Sequence, residues 1–192
     1  VHEDVKDEFE KILFAELDKV KFGDPNKEGG LDYGPLIEKR ALKQVIEKVD
    51  YAVKQGATLA YGGQVDKEQV GYFYGPTVLT DVTNDMTIMK EEVFGPVSVV
   101  IKFKNDEEVI EQANDSEYGL AGAVFSKNIT RALNIARKVE TGRVWVNTYN
   151  QIPEHAPFGG YKKSGIGRET HKVILEHYSQ MKNILIDLSE DV

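Results

Sequence analysis

The spacing of apolar and polar positions divides the chain into helical and strand segments. Apolar residues recur at intervals of three and four over residues 4–20 and again after Pro35, which predicts two amphipathic helices. Gly56 is a suitable end for the second helix. Two short runs that glycines enclose, 57–63 and 72–79, are typical of strands.

From residue 97 to residue 147 the pattern alternates between strand and helix. Three runs predict strands: 97–103, 119–126 and 143–147. Asn105 and Asn128 stand where they would cap the two intervening helices. Because such alternation favours right-handed crossovers, we expect an α/β fold with a mostly parallel sheet and flanking helices.

The end of the chain is predicted to return along a helix over 169–181 and to close as a strand over 182–192. Every second side chain from Ile184 to Leu188 is apolar, which suits a strand with one mainly apolar face. An exposed apolar strand needs a partner, so we expect this strand to extend from the domain formed by 1–168 and to pair with another chain. A tail folded back onto its own domain is the alternative.

Composition narrows the possible functions. The 192 residues suffice for one sizeable core, and the net charge of −8 argues against nucleic acid as a partner. No run of about 18 apolar residues is present, so we expect no membrane span. The absence of cysteine excludes thiolate metal ligands and fits a cytoplasmic location. The four histidines lack metal-ligand spacing, so no metal site is predicted.

Two stretches are candidates for chemistry. Glu91 and Glu92 precede the strand at 97–103, but adjacent carboxylates in a helix or turn point about 100° apart and make a poor acid–base pair. One of them would suit the hydroxyls of a ribose, and a solvated helix end is the alternative. The loop after 143–147 is the second candidate, because ligands of parallel sheets bind beyond the carboxyl ends of the strands.

Four motifs, in their order and spacing, resemble the aldehyde dehydrogenase superfamily. They read KEEVFGPV, NDSEYGLAGAVFS, GRVWVN and PFGGYKKSGIGRE. The resemblance runs through essentially the whole chain, and the start at Val1-His2 looks like a cut into a longer polypeptide. The chain is therefore similar to the C-terminal part of the catalytic domain of an NAD(P)-dependent enzyme that oxidises an aldehyde to a carboxylic acid.

The resemblance also implies roles for individual residues. Glu92 would bind the nicotinamide-side ribose hydroxyls of NAD or NADP, and Phe94 would pack against the same ribose. Asn150, Ile152 and Phe158 match positions that line the family's tunnel for a small-molecule aldehyde.

Within this sequence, Glu169 matches a carboxylate sometimes assigned to a proton relay, which would be a catalytic role.

The resemblance places other parts of the catalytic machinery outside this sequence. The family's thiol nucleophile and Rossmann domain would lie upstream of Val1, so we expect this chain alone to be inactive. The strand over 182–192 would help to build a homo-oligomer. The alternative function is a non-catalytic binding or interaction module that has kept the fold.

Overall fold

The computed structural model describes residues 1–65 and 70–189. The chain divides into two compact units, Val1–Asp115 and Ser116–Val192. This division differs from the domain boundaries after residues 168 and 181 that the sequence suggested, and that assignment of functional domains stays a prediction.

The first unit, among its described residues, contains one short 3₁₀ helix and four α-helices. They are the 3₁₀ helix Glu3–Val5, α1 Lys6–Leu17, α2 Lys39–Lys54, α3 Thr87–Lys90 and α4 Asp106–Asn114. The two amphipathic helices predicted from apolar spacing are α1 and α2, and both are confirmed. Asn105 caps α4 as predicted, because its side-chain oxygen accepts a hydrogen bond of 2.9 Å from the N–H of Glu108.

A mixed sheet of three strands lies beside these helices. Its strands are β1 Thr58–Tyr61, β2 Thr77–Thr80 and β3 Val97–Val99, in that order across the sheet. β1 runs antiparallel to β2, whereas β2 and β3 are parallel with Thr77 opposite Val97. All four residues of β2 are buried, because this strand is central and has neighbours on both sides.

The core of the first unit forms where α2 packs on this sheet. Val45, Val49 and Ala52 lie on one face of α2 and are at most 3% exposed. They pack in one cluster with Leu79 of β2, which is fully buried. This core supports the segment that follows α3 and leads into β3.

The second unit is built around a strand–helix–strand crossover. Its described elements are β4 Tyr118–Gly119, β5 Ala121–Val124, α5 Ile129–Lys138, β6 Arg143–Val146, β7 Tyr161–Lys162 and α6 Ile174–His177. β5 and β6 are parallel and α5 connects them, which confirms the predicted alternation in this part of the chain. Asn128 caps α5 by accepting a hydrogen bond of 3.1 Å from the N–H of Arg131. β4 and β7 form a separate antiparallel pair.

The single sheet expected from 97 to 147 is divided in the structure. β3 belongs to the three-stranded sheet and β5 and β6 to a two-stranded one, although the α/β class itself is confirmed. The strand predicted over 97–103 ends at Val99. Its last residues hydrogen-bond to the start of the chain instead, with Phe103 accepting from Glu3 at 2.9 Å and donating to Val1 at 3.0 Å.

The C-terminal segment is less regular than predicted. The helix expected over 169–181 was wrong in extent, since only Ile174–His177 is α-helical. Thr170 and His171 have φ angles of 58° and 51°, a left-handed conformation that interrupts a right-handed helix.

The predicted terminal strand is also absent within the described chain. Residues 181–189 form no strand, because no described backbone pairs with them, and 190–192 lie outside the described residues. No helix in the described part of the chain combines the length and the apolar character that crossing a bilayer requires.

Candidate functional site

The turn that carries Glu92 lies between α3 and β3 in the first unit. Gly95 lets this turn lie directly against α2, because a Cβ atom at that position would come 2.7 Å from Cγ2 of Val45. Phe94 has a φ of 54° and is 78% exposed, so a left-handed backbone presents its ring to solvent. The turn therefore combines a fixed backbone with outward-facing side chains.

Lys48 of α2 holds the two glutamates in different ways. Its Nζ donates a hydrogen bond of 2.5 Å to the backbone carbonyl of Glu92 and lies 3.3 Å from Oε2 of Glu91. The carboxylate of Glu91 is thus an ion-pair partner. The carboxylate of Glu92 is exposed and has no partner among the described residues.

Sequence reasoning missed Lys48. It lies 44 residues before Glu92 and reads as one more cation on an amphipathic helix. Its place on α2 one turn after Val45, whose side chain faces the buried core, was the one available signal that it would reach the turn.

A surface pocket of about 220 Å³ opens beside the turn, and Lys48 is one of its lining residues. Side chains of α2 and α3 line it together with Glu91, whereas Glu92 is not among its lining residues. Among residues 1–65 and 70–189, no three His, Cys, Asp or Glu side chains are grouped to hold a metal ion.

The second candidate, the loop after β6, begins at a fixed asparagine. The side chain of Asn147 accepts a hydrogen bond of 2.8 Å from the N–H of Ser126 and donates one of 3.0 Å to its carbonyl. Its backbone has a φ of 54°, which turns the chain out of β6. Asn147 therefore defines where the loop leaves the strand.

Arg143, the first residue of β6, reaches back across this loop. Its guanidinium donates hydrogen bonds to the carbonyls of Gln151, Ala156 and Pro157 at 3.0, 3.2 and 3.1 Å. Trp145 donates from Nε1 to the same Gln151 carbonyl at 2.8 Å. Two side chains of one strand thus hold both ends of the segment 151–157.

The structure brings together some of the predicted site residues of this unit. Phe158 is half-buried, and the guanidinium of Arg143 lies 5.1 Å from its ring centre. Glu169 pairs with Phe158 through two backbone hydrogen bonds of 2.9 and 2.6 Å, and its carboxylate is exposed without a described partner. Asn150 and Ile152 are exposed and contact neither of these residues by a hydrogen bond.

Arg143 is the second residue that sequence reasoning missed. It belongs to the strand motif GRVWVN, and a charged residue at a strand start is ordinarily solvated. The signal was its position two residues before Trp145, which places both side chains on the same face of β6.

Comparison with known proteins identifies the family. The model of the aldehyde dehydrogenase family matches residues 1–184. The chain belongs to this family. It is 42% identical over 193 residues to a betaine aldehyde dehydrogenase of Brucella anthropi and 46% identical over 186 residues to an aldehyde dehydrogenase of Enchytraeus buchholzi. These alignments cover 99% and 97% of this chain but 39% and 37% of the relatives.

Solved structures of relatives agree with the fold. An aldehyde dehydrogenase from Bacillus cereus matches with a TM-score of 0.91 at 44% identity, covering 98% of this chain and 38% of that one. A betaine aldehyde dehydrogenase from Staphylococcus aureus, solved with NAD+, matches with a TM-score of 0.86 at 42% identity and covers 93% of this chain and 36% of that one. The chain thus spans less than two fifths of the length of these aldehyde dehydrogenases.

Proposed function

We propose that this chain is part of an NAD(P)-dependent aldehyde dehydrogenase that oxidises an aldehyde to a carboxylic acid. Family membership supports this proposal, and so does the Staphylococcus aureus relative that was solved with NAD+. The observation that carries it is the turn after α3, where one glutamate is paired and its neighbour is left exposed with a carboxylate that no described residue engages.

In this proposal Glu92 and Phe94 bind the nicotinamide-side ribose of the cofactor. A carboxylate with free lone pairs accepts from two hydroxyls, so the exposed Glu92 fits a ribose diol. Phe94, two residues further along the same turn, offers an exposed ring face for the sugar. The chemistry that NAD(P)+ would supply at this turn is that of a hydride acceptor. Lys48 would keep the backbone of Glu92 in place through its hydrogen bond to the Glu92 carbonyl.

The loop after β6 would contact the aldehyde. We assign Asn150, Ile152 and Phe158 to substrate binding and Glu169 to proton transfer. The exposed side chain of Ile152 and the half-buried ring of Phe158 offer apolar surface for an aldehyde. Glu169 is hydrogen-bonded to Phe158 through its backbone, so its carboxylate would move with the loop after β6.

The nucleophilic thiol of the reaction would come from sequence outside this chain, because the 192 residues contain no cysteine. We therefore propose that the chain alone does not turn over aldehydes. An assay of NADH formation by the isolated chain checks this, and turnover comparable to that of an intact dehydrogenase would contradict it.

The cofactor role of Glu92 is tested in the complete polypeptide with a matched pair of variants. Glu92→Gln is expected to raise the KM for NAD or slow hydride transfer about tenfold or more, because it replaces a charge-assisted hydrogen bond with a neutral one. Glu91→Gln removes a partly exposed ion pair with Lys48 and is expected to change either quantity about twofold at most. Betaine aldehyde and an uncharged aliphatic aldehyde serve as substrates.

If Glu92→Gln and Glu91→Gln have equal kinetics, Glu92 is a solvated surface residue without a role in cofactor binding. A complete polypeptide that oxidises neither aldehyde would favour the non-catalytic module instead.

We also propose that the tail over 182–192 contributes to a homo-oligomer. Ile184, Leu185, Ile186 and Leu188 are 70–93% exposed, which is unusual for four apolar side chains within five residues. Deletion of 182–192 is expected to lower the mass that light scattering measures for the complete polypeptide. An unchanged mass would assign the tail another role.

A further inference from the structure

We propose that Arg143 is a positioning residue for the substrate loop, which fixes Ile152 and Phe158 and thereby sets the affinity of the enzyme for its aldehyde. This inference rests on the proposed function. The substrate loop is defined here as residues 148–158.

The carbonyls that Arg143 holds are placed directly before the two side chains concerned. The carbonyl of Gln151 belongs to the peptide bond that leads into Ile152, and that of Pro157 to the peptide bond that leads into Phe158. Because a peptide unit is planar, fixing its carbonyl oxygen restricts the direction in which the next residue leaves it. A single guanidinium therefore acts on both apolar residues of the proposed substrate site.

The loop has little regular structure of its own. No helix or strand occurs between β6 and β7 in the described chain. Within the substrate loop, a turn between Ala156 and Pro153 supplies a backbone hydrogen bond of 3.0 Å.

Residues 169–171 also reach the loop: the N–H of His171 donates a hydrogen bond of 3.0 Å to the carbonyl of Glu154, the hydroxyl of Thr170 donates one of 2.5 Å to that of Ala156, and Glu169 pairs with Phe158 through its backbone. The loop conformation thus depends on donors from β6 and from residues 169–171, and Arg143 supplies three of these hydrogen bonds.

The contacts of Arg143 use properties that lysine lacks. Its guanidinium makes no ion pair with a described carboxylate, and its charge faces carbonyl oxygens and the rings of Trp145 and Phe158, at 5.9 and 5.1 Å from the ring centres. A planar fork donates to several acceptors at once and stacks on aromatic rings, whereas an ammonium group is a compact point charge. Arg143→Lys would therefore keep the charge and lose the geometry.

The experiment compares four variants of the complete polypeptide. Arg143→Met removes every donor, Arg143→Lys keeps the charge, and Trp145→Phe removes only the indole donor to Gln151. Arg137→Met is the matched control, since Arg137 is exposed on α5 and has no described partner. Hydrogen exchange of peptides over 148–158 and the steady-state constants for aldehyde and for NAD are measured for each.

Arg143→Met is expected to raise the KM for the aldehyde roughly tenfold to a hundredfold, because small misplacements of positioning groups have effects of this size. The KM for NAD is expected to stay within about twofold, and exchange in the substrate loop to become about tenfold faster or more. Arg143→Lys should resemble Arg143→Met, Trp145→Phe should show a smaller change in the same direction, and Arg137→Met should resemble the unmodified protein.

Each other outcome overturns part of the argument. Unchanged exchange in Arg143→Met shows that the guanidinium does not hold the loop, whatever the protein catalyses. Faster exchange with an unchanged KM for the aldehyde shows that the loop does not set substrate affinity. Equal rises in both KM values indicate a merely structural role. If Arg143→Met does not fold, Arg143→Lys and Trp145→Phe carry the same comparison. If the unmodified protein oxidises no aldehyde, the proposed function fails, while the exchange data still decide whether Arg143 holds the loop.

Discussion

In the first unit the turn that carries Glu92 rests on a buried core, whereas in the second unit the loop with Ile152 and Phe158 is held by hydrogen bonds, from side chains of β6 and from residues 169–171. The turn approaches α2 through Gly95, and α2 is packed on the sheet by fully or almost fully buried residues. In the described part of the second unit, the buried apolar side chains are those of Ala132 and Ile135.

This difference indicates what the conformation of each proposed binding segment depends on. Apolar packing is tolerant of polarity changes at the surface and sensitive to lost volume, so the turn that carries Glu92 should respond to core substitutions. A loop held by hydrogen bonds is sensitive to the loss of a few polar groups and to backbone crowding. The substrate loop should therefore respond to substitutions that remove hydrogen-bond donors or crowd the backbone.

The largest expected effect comes from the core of the first unit. Leu79→Ala should lower the free energy of unfolding by about 2–5 kcal/mol, because Leu79 is fully buried and its replacement leaves a cavity. Urea denaturation followed by far-UV circular dichroism measures it. Ile37→Ala, at a position 90% exposed in the same unit, is the control and should change stability by less than about 0.5 kcal/mol. Similar losses in both variants would contradict the packing assigned to this unit.

Backbone crowding in the second unit gives the next largest effect. A Cβ atom at Gly142 would overlap the carbonyl oxygen of Gly159, so Gly142→Ala should destabilise the unit by about 1–3 kcal/mol. The fluorescence of Trp145, the chain's single tryptophan, reports the transition in urea. Gly122→Ala on β5 is the control, since its nearest neighbour would lie at an ordinary contact distance of 3.7 Å. A Gly142→Ala midpoint equal to that of the control would show that the backbone there yields easily.

The sequence predicted those elements whose signals are local. Apolar periodicity gave α1 and α2, and the capping asparagines Asn105 and Asn128 marked the starts of α4 and α5. The C-terminal helix failed because the left-handed backbone at Thr170 and His171 is not encoded by glycine or proline. Leu175 and Tyr178 there are 66% and 85% exposed, so burial of these side chains does little to stabilise a longer helix.

The candidate site residues were predicted from motifs. Lys48 and Arg143, which hold the turn and the loop that carry them, were not predicted. Nothing near Glu92 in the sequence points to Lys48, 44 residues away, and within the strand motif only the spacing to Trp145 distinguishes Arg143 from a solvated cation. Both act on backbone carbonyls, which are the same at every position and leave no mark in the sequence. Only the folded chain shows which carbonyl a long side chain reaches.

Helix caps test whether the two units differ only in how the turn and the loop are held, because a cap acts on its own helix in either unit. Asn105→Ala and Asn128→Ala should each cost about 1 kcal/mol of stability, since each removes the one side-chain acceptor of a helix start. Denaturation of the two variants in parallel measures this, and serine at either position should restore most of the loss. A loss of stability in only one of the two variants would mean that helix caps contribute differently in the two units, in addition to the different ways in which the turn and the loop are held.

The effect that is smallest at neutral pH, where it vanishes, appears only at alkaline pH and belongs to the packed unit. Tyr33 donates a hydrogen bond of 3.0 Å to the carbonyl of Tyr74 and stacks on Phe22, with ring centres 5.3 Å apart. Burial, with a smaller contribution from nearby Tyr61, raises the pKa of Tyr33 to about 12.

In the unfolded chain the Tyr33 phenol ionises near pH 10. The stability that comes from keeping this phenol neutral is therefore complete below about pH 10 and is lost as the pH rises towards 12. The free energy of unfolding should therefore fall more steeply between about pH 10 and about pH 12 in the unmodified protein than in Tyr33→Phe, which cannot ionise there. Urea denaturation at several pH values compares the two slopes, and the lysines that also titrate in this range affect both proteins alike. Parallel curves would show that Tyr33 is as accessible to solvent in the folded protein as in the unfolded chain.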